Sequence, residues 1–192
     1  MKTHTTKHSL KFLFIVMLSI FVVACTDNPS GTDDEGAGEE ELITQVNLTL
    51  TAPDNSQVTA SWEDPDGPGG NDPVISGLQL EAGTNYNGTI ELLDTTDDPA
   101  EDITEEVREE AEEHQFFYSV EGDASGSVMV QITDTDANGL PIGLEFTVDV
   151  ADAAGTTGTL NVVLSHYDDE PKDGETRSDE TDVDIDIPLT IQ

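Results

Sequence analysis

From Leu42 onward the chain repeats one pattern, an apolar residue followed by a polar one. Val46, Leu48 and Leu50 alternate with Asn47, Thr49 and Thr51, and Val58, Ala60 and Trp62 alternate with Thr59 and Ser61. Further runs follow at Val74–Leu80 (short and weak), Tyr86–Leu92, Phe116–Val120, Val128–Ile132, Leu144–Val150 and Leu160–Leu164. The last run is the clearest: Val183, Ile185, Ile187, Leu189 and Ile191 form one face, Asp182, Asp184, Asp186, Pro188 and Thr190 the other. A period of two is the signature of strands with one buried face. Each inward Val, Ile, Leu or Phe contributes about 1.5–3 kcal/mol of burial, and a one-residue slip would replace it with Asp or Thr. About nine short strands joined by turns predict an all-β fold, an antiparallel two-sheet sandwich that is immunoglobulin-like in the broad sense. Pro188 lacks an N–H, so it belongs where that side of its strand is unpaired, at an edge or a bulge.

One segment breaks the alternation. Between Asp98 and Glu113, Ile103, Val107 and Ala111 recur every fourth residue, with Pro99 near the start and acids in the first turn. This predicts a single short acidic helix capping one end of the sandwich.

The first 41 residues read differently. Lys2, Lys7 and Lys11 precede an apolar run of thirteen, Phe12 to Ala24, with no acid before Asp27. About 20 apolar residues are needed to cross a bilayer, so the run reads as a signal peptide over residues 1–24. Val22-Val-Ala-Cys25 resembles the lipobox of bacterial lipoproteins, which implies cleavage before Cys25 and lipidation of its thiol. Cys25 is the only cysteine, so no disulfide and no Cys-based zinc cluster can form within one chain. Thr26, rather than Asp, after the cysteine resembles outer-membrane sorting patterns. Residues 26–41 are rich in Gly, Ser, Pro and acid, predicting a disordered tether of roughly 22 Å root-mean-square reach. Residues 42–192 then form one domain.

Charge narrows the partners. The chain carries 42 Asp and Glu against 6 Lys and Arg, and only Arg108, Lys172 and Arg177 follow Cys25. Such a surface repels phosphate backbones, excluding nucleic acid, and leaves the lipid anchor as the means of membrane attachment. Acids dispersed over loops and solvent faces, with lysine depleted, resemble the solvation strategy of halophilic proteins, against the alternative of a cation-binding surface.

Three groupings could hold a metal. Asp134-Thr-Asp136-Ala-Asn138-Gly139-Leu140, ending at Glu145, fits the D-x-[DN]-x-[DN]-G-x₅-E pattern. In it three side-chain oxygens, the Leu140 carbonyl and a closing carboxylate surround a Gly-enabled turn. It resembles an EF-hand loop, but strands flank it and Pro141 lies inside it, so only the calcium chemistry carries over, against the alternative of an ordinary acidic hairpin turn. Asp64, Asp66, Asn71 and Asp72 form a second, weaker calcium candidate in a Gly/Pro loop. His114, placed at the end of the acidic helix, and His166, followed by Asp168, Asp169 and Glu170, form a zinc candidate if the fold brings them together. Otherwise each is a solvated or carboxylate-paired histidine. There is no G-x-S-x-G, H-E-x-x-H or phosphate-binding glycine loop, so an enzyme is not expected and a hydrolase is the remote alternative.

Four stretches carry a broader resemblance: Trp62-Glu-Asp-Pro-Asp-Gly67, Glu112-Glu-His-Gln-Phe-Phe-Tyr118, Asp134-Thr-Asp-Ala-Asn-Gly139 with Gly143-Leu144, and Gly158 through His166. They resemble small gram-negative envelope lipoproteins encoded near TonB-dependent outer-membrane receptors, some labelled periplasmic-binding-like. The chain is short for the two α/β lobes that label denotes. The resemblance implies a lipid-anchored binding or accessory module of outer-membrane uptake, with a receptor or another envelope protein as partner. The alternative is a structural or adhesive surface domain whose calcium loops stiffen it.

Overall fold

In the computed structural model the described residues are 41–67, 69–96, 98–168 and 170–192. They form eleven strands and one helix, an all-β sandwich as the alternation predicts. The strands are β1 (Gln45–Thr51), β2 (Gln57–Glu63), β3 (Val74–Ile75), β4 (Leu78–Leu80), β5 (Asn85–Asp94) and β6 (Glu101–Asp102). After helix α1 (Ile103–Glu109) come β7 (His114–Gly122), β8 (Val128–Ile132), β9 (Glu145–Val150), β10 (Thr157–His166) and β11 (Glu180–Ile191). The larger sheet runs β3-β2-β1-β5-β9-β8, with β6 on β5; the smaller runs β4-β11-β10-β7. All pairings are antiparallel except β4 with β11.

The core lies between the sheets and is built from the alternating positions. Val46, Leu48 and Leu50 of β1 meet Leu160, Val162, Leu164, Val183 and Ile187 of β10 and β11 in one buried cluster. Gly88 shows how tight the packing is, because a Cβ there would collide with the ring of Phe146 on the neighbouring strand. Trp62 packs against this cluster only partly buried. The weak run at Val74–Leu80 divides in two: Val74 and Ile75 form an exposed edge of the larger sheet, while Leu78 and Leu80 are buried in the smaller. Pro188 meets its expectation. β4 pairs only with Leu189–Ile191, so the far side of β11 at Pro188 carries no paired residue.

The helix is shorter than its apolar spacing predicts. Asp102 caps it, accepting a hydrogen bond from the Thr104 N–H at 3.1 Å, and the residues before it pair with β5 as β6. The Thr104 hydroxyl donates to the Leu92 carbonyl and accepts from the Leu92 N–H, fastening the helix to β5. It ends at Glu109, so His114 belongs to a strand and not to the helix.

Candidate metal centre

His114 and His166 are direct partners across the β7–β10 ladder. Two positions further along the same face, Phe116 pairs with Leu164 in the core. The histidines therefore continue the inward face of the smaller sheet past the end of the apolar packing. Directly opposed residues are close neighbours in an antiparallel pair, and the rings stack with centroids 4.4 Å apart and planes 25° from parallel.

A third residue arrives through a break in register. Leu164 pairs with Val183, but Ser165 pairs with Thr181, leaving Asp182 as the extra residue of a β-bulge. Strict alternation would place Asp182 with Asp184 and Asp186 in solvent, as the sequence pattern predicts. The bulge interrupts the alternation and re-aims the side chain, so the Asp182 carboxylate is fully buried against both imidazoles. The fourth residue, Glu41, comes from the lead into β1 of the other sheet, and its side chain is 7% exposed.

The contacts form one closed set. His114 Nε2 lies 3.0 Å from Glu41 Oε1 and 3.6 Å from Asp182 Oδ2. His166 Nδ1 lies 3.7 Å from Glu41 Oε2 and 3.4 Å from Asp182 Oδ1. The outward nitrogens are occupied: His114 Nδ1 is 3.2 Å from the Glu110 carbonyl, and His166 Nε2 is 2.8 Å from Asp168 Oδ1. A carbonyl or carboxylate on one ring nitrogen holds the proton there and leaves the other nitrogen as a lone pair. The inner nitrogens, His114 Nε2 and His166 Nδ1, face the two carboxylates. His114 Nε2, Glu41 Oε2 and both Asp182 oxygens are buried without an aligned hydrogen-bond partner; the 3.0 Å approach of Glu41 to His114 is off the axis of a ring N–H. Buried polar atoms normally find partners, so four orphans at one point mark a place built for something else.

Electrostatics agree. Burial, then the charge of Glu41, pushes Asp182 up to about 7. Burial also works against the charged forms of Glu41 and His114, but their mutual contact outweighs it, holding Glu41 below the usual carboxylate range and raising His114. Two carboxylates this close cannot both ionise freely, so near neutrality the cluster holds protons that a cation can replace.

The donor set, two imidazoles and two carboxylates, suits a zinc-class cation. Zinc bonds of about 2.0–2.2 Å in a tetrahedron give donor–donor edges of about 3.3–3.6 Å. One donor from each residue lies within 4.8 Å of all the others, and the closest His–carboxylate approaches, to one or other carboxylate oxygen, run from 3.0 to 3.7 Å. Calcium takes six to eight oxygens at about 2.3–2.6 Å, and two imidazoles disfavour it. On the outer side of His166, Glu113 and Asp168 form a second, solvent-exposed grouping. It lies beside an open cavity of about 230 Å³ lined by His166, Asp168, Glu170, Ser178, Asp179 and Glu180.

The calcium candidates are not assembled. Asp134 accepts from the Gly143 and Leu144 N–H groups at 2.8 and 3.0 Å. Asp136 Oδ1 accepts from the Asn138 and Leu140 N–H groups, both at 2.9 Å, and its Oδ2 is 3.0 Å from the buried ammonium of Lys172. The Leu140 carbonyl accepts from the Asp136 N–H, Asn138 is exposed, and Glu145 points to solvent from β9. The motif is thus a hairpin turn whose cation is a lysine, and Lys172 Nζ also donates to the carbonyls of Ala111 and His114. In the second loop Asp66 Oδ2 accepts from the backbone and side-chain amides of Asn71 at 3.0 and 2.6 Å. Asn71 therefore offers a donor where calcium needs an acceptor, Asp72 is exposed and Asp64 is buried. Cys25, the signal peptide and the tether before Glu41 lie outside the described residues.

Sequence reading named both histidines but neither Asp182 nor Glu41. Asp182 was hidden by an alternation that the bulge breaks, and Glu41 by its place at the end of an acidic low-complexity run. Fold and site together define an all-β sandwich with a two-histidine, two-carboxylate cluster at one end. No known protein family, characterised protein or solved structure matches the chain.

Proposed function

We propose that this chain is a lipid-anchored protein of the cell envelope whose sandwich binds one zinc-class divalent cation, as a non-enzymatic accessory module of outer-membrane uptake. The observation that carries the metal reading is the set of buried, unpartnered atoms on His114, Glu41 and Asp182, gathered with His166 into one four-residue cluster. Anchoring rests on the Val22-Val-Ala-Cys25 lipobox, and the link to uptake on the resemblance to lipoproteins encoded near outer-membrane receptors. Four protein donors fill a tetrahedral zinc and leave no position for a substrate, which favours holding the ion over chemistry on it.

Calorimetric titration of the purified protein with Zn²⁺ in high salt tests this. One ion per chain is expected, with binding lost in His114→Ala and Asp182→Ala and no response to millimolar Ca²⁺. A flat zinc titration would end the metal reading, and failure of the product to incorporate radiolabelled palmitate would end the anchor. A second reading has its own support: a closed four-donor set is also the form of a structural zinc site, the ion then stapling the two sheets at one end. A metal-free protein that unfolds in high salt would favour the staple; one that stays folded and exchanges its ion would favour the carrier.

A further inference from the structure

Resting on the metal reading above, we infer that Glu41 is the removable ligand of the centre, through which the ion is loaded and released. All four ligand side chains are buried, Glu41 being the most exposed of them at 7%. An ion therefore reaches the site only if a ligand moves. Three of the four are fixed by strand pairing. His114 and His166 are partners in the β7–β10 ladder, and Asp182 sits in the bulge between paired Thr181 and Val183 of β11. Moving any of them means opening backbone hydrogen bonds of the smaller sheet.

Among the described residues Glu41 has no strand pairing of this kind. Among the described residues the lead is first tied to a strand at Thr44, whose N–H donates to the Leu93 carbonyl at 3.0 Å and whose carbonyl accepts from the Asp64 N–H at 2.8 Å. Ile43 is buried in the core, whereas Leu42, directly after Glu41, is 49% exposed. The chain can swing at Leu42 with Ile43 and Thr44 staying in place. With Glu41 withdrawn, the remaining His114, His166 and Asp182 make a three-ligand site with one open coordination position. That is the state in which water, a chelating small molecule or an acceptor protein can take hold of the ion.

The rival route passes His166 from the open cavity beside Asp168. It is disfavoured because turning that ring breaks the 2.8 Å contact to Asp168 and the stack on His114.

The test is zinc release from the purified protein in high salt, followed by stopped-flow capture with a chromogenic chelator. Glu41→Ala, Asp168→Asn and Asp182→Ala are compared with the unaltered protein. Glu41→Ala is expected to retain one ion per chain and to release it at least tenfold faster, whereas Asp182→Ala fails to retain it and Asp168→Asn changes the rate less than Glu41→Ala does. Hydrogen exchange at Leu42 and Ile43 should be faster without zinc than with it. Release at the unaltered rate in Glu41→Ala, loss of binding as complete as in Asp182→Ala, a larger acceleration in Asp168→Asn, or equal exchange with and without zinc would each overturn the gate. All of these leave the metal reading standing, which fails only if the unaltered protein takes no zinc.

Discussion

Two regions of this protein gather acids around a point, and they resolve their charge in opposite ways. In the Asp134–Glu145 turn the Asp134 and Asp136 carboxylates accept backbone N–H groups and one lysine ammonium, and Glu145 points away to solvent. In the His114–His166 cluster the donors come from two sheets, and four of their atoms have no partner. The turn carries the recognisable spacing and the cluster carries none. On the proposed metal reading, the cation site is marked by acceptors that remain unsatisfied after folding, and not by the density of acid along the chain.

The sharpest way to break that contrast is to remove the internal cation of the turn. Lys172→Met leaves Asp136 and the Ala111 and His114 carbonyls without their donor. Breaking a buried pair from one side costs about 3–5 kcal/mol, and urea unfolding should show a loss of that size. A midpoint within experimental error of the unaltered protein would mean that the ammonium is not what settles the loop. Next in size is the cluster. Structural zinc contributes about 10–16 kcal/mol over four ligands, or about 2.5–4 kcal/mol each, so His166→Ala should weaken zinc by roughly a hundred- to a thousandfold. Asp134→Asn should leave zinc affinity unchanged, and equal losses in the two variants would dissolve the distinction.

A third measurement compares ions. At a hundredfold excess over its dissociation constant, zinc should add about 2.7 kcal/mol of stability, read as a raised melting temperature, while calcium at the same concentration should add none. Stabilisation by calcium that is lost in Asp136→Asn would restore the turn as a site.

Acidity separates the regions more gently. Zinc must displace protons from Asp182, raised to about 7, and from His114, also raised. Affinity should therefore fall as pH drops from 8 to 6, by up to about tenfold per unit for each proton displaced. Asp136 is held low by Lys172 and backbone N–H groups, which outweigh its burial. Its stabilising effect is present above the ordinary carboxylate range and disappears as pH falls through its lowered value, well below the window in which zinc is lost. Coincident transitions would show that one group governs both. The smallest effect comes from the dispersed acids. Moving from about 2 M to 10 mM NaCl lengthens screening to about 30 Å and should lower melting by on the order of a few degrees through self-repulsion. Identical melting in the two salts would mean that the acids are not set against salt.

How much was legible beforehand follows from the range of each cause. Strand identity was readable because alternation is local: β1, β5, β9 and β11 fall where Val46, Ile90, Val148 and Ile187 predict. The helix was overestimated because apolar spacing says nothing of the Asp102 cap or of β6 taking the preceding residues. The split of Val74–Leu80 between two sheets also lay beyond periodicity, since the same few residues serve either sheet equally well. In the site, His114 and His166 stood out as the only histidines after Cys25 among many acids, while the two acids that matter were indistinguishable from their neighbours.

The sequence by itself determined an acidic body of half-buried strands, a basic and apolar N-terminal stretch before a single cysteine, and the presence of two histidines after it. Only the tertiary structure decided that those histidines stack, that one bulge turns Asp182 inward, and that Glu41 crosses from the lead of one sheet to the end of the other. The physical reason is separation along the chain. Alternation and turn chemistry act over a few residues, whereas this centre joins positions 41, 114, 166 and 182, which ladder register, one bulge and the lead into β1 bring together.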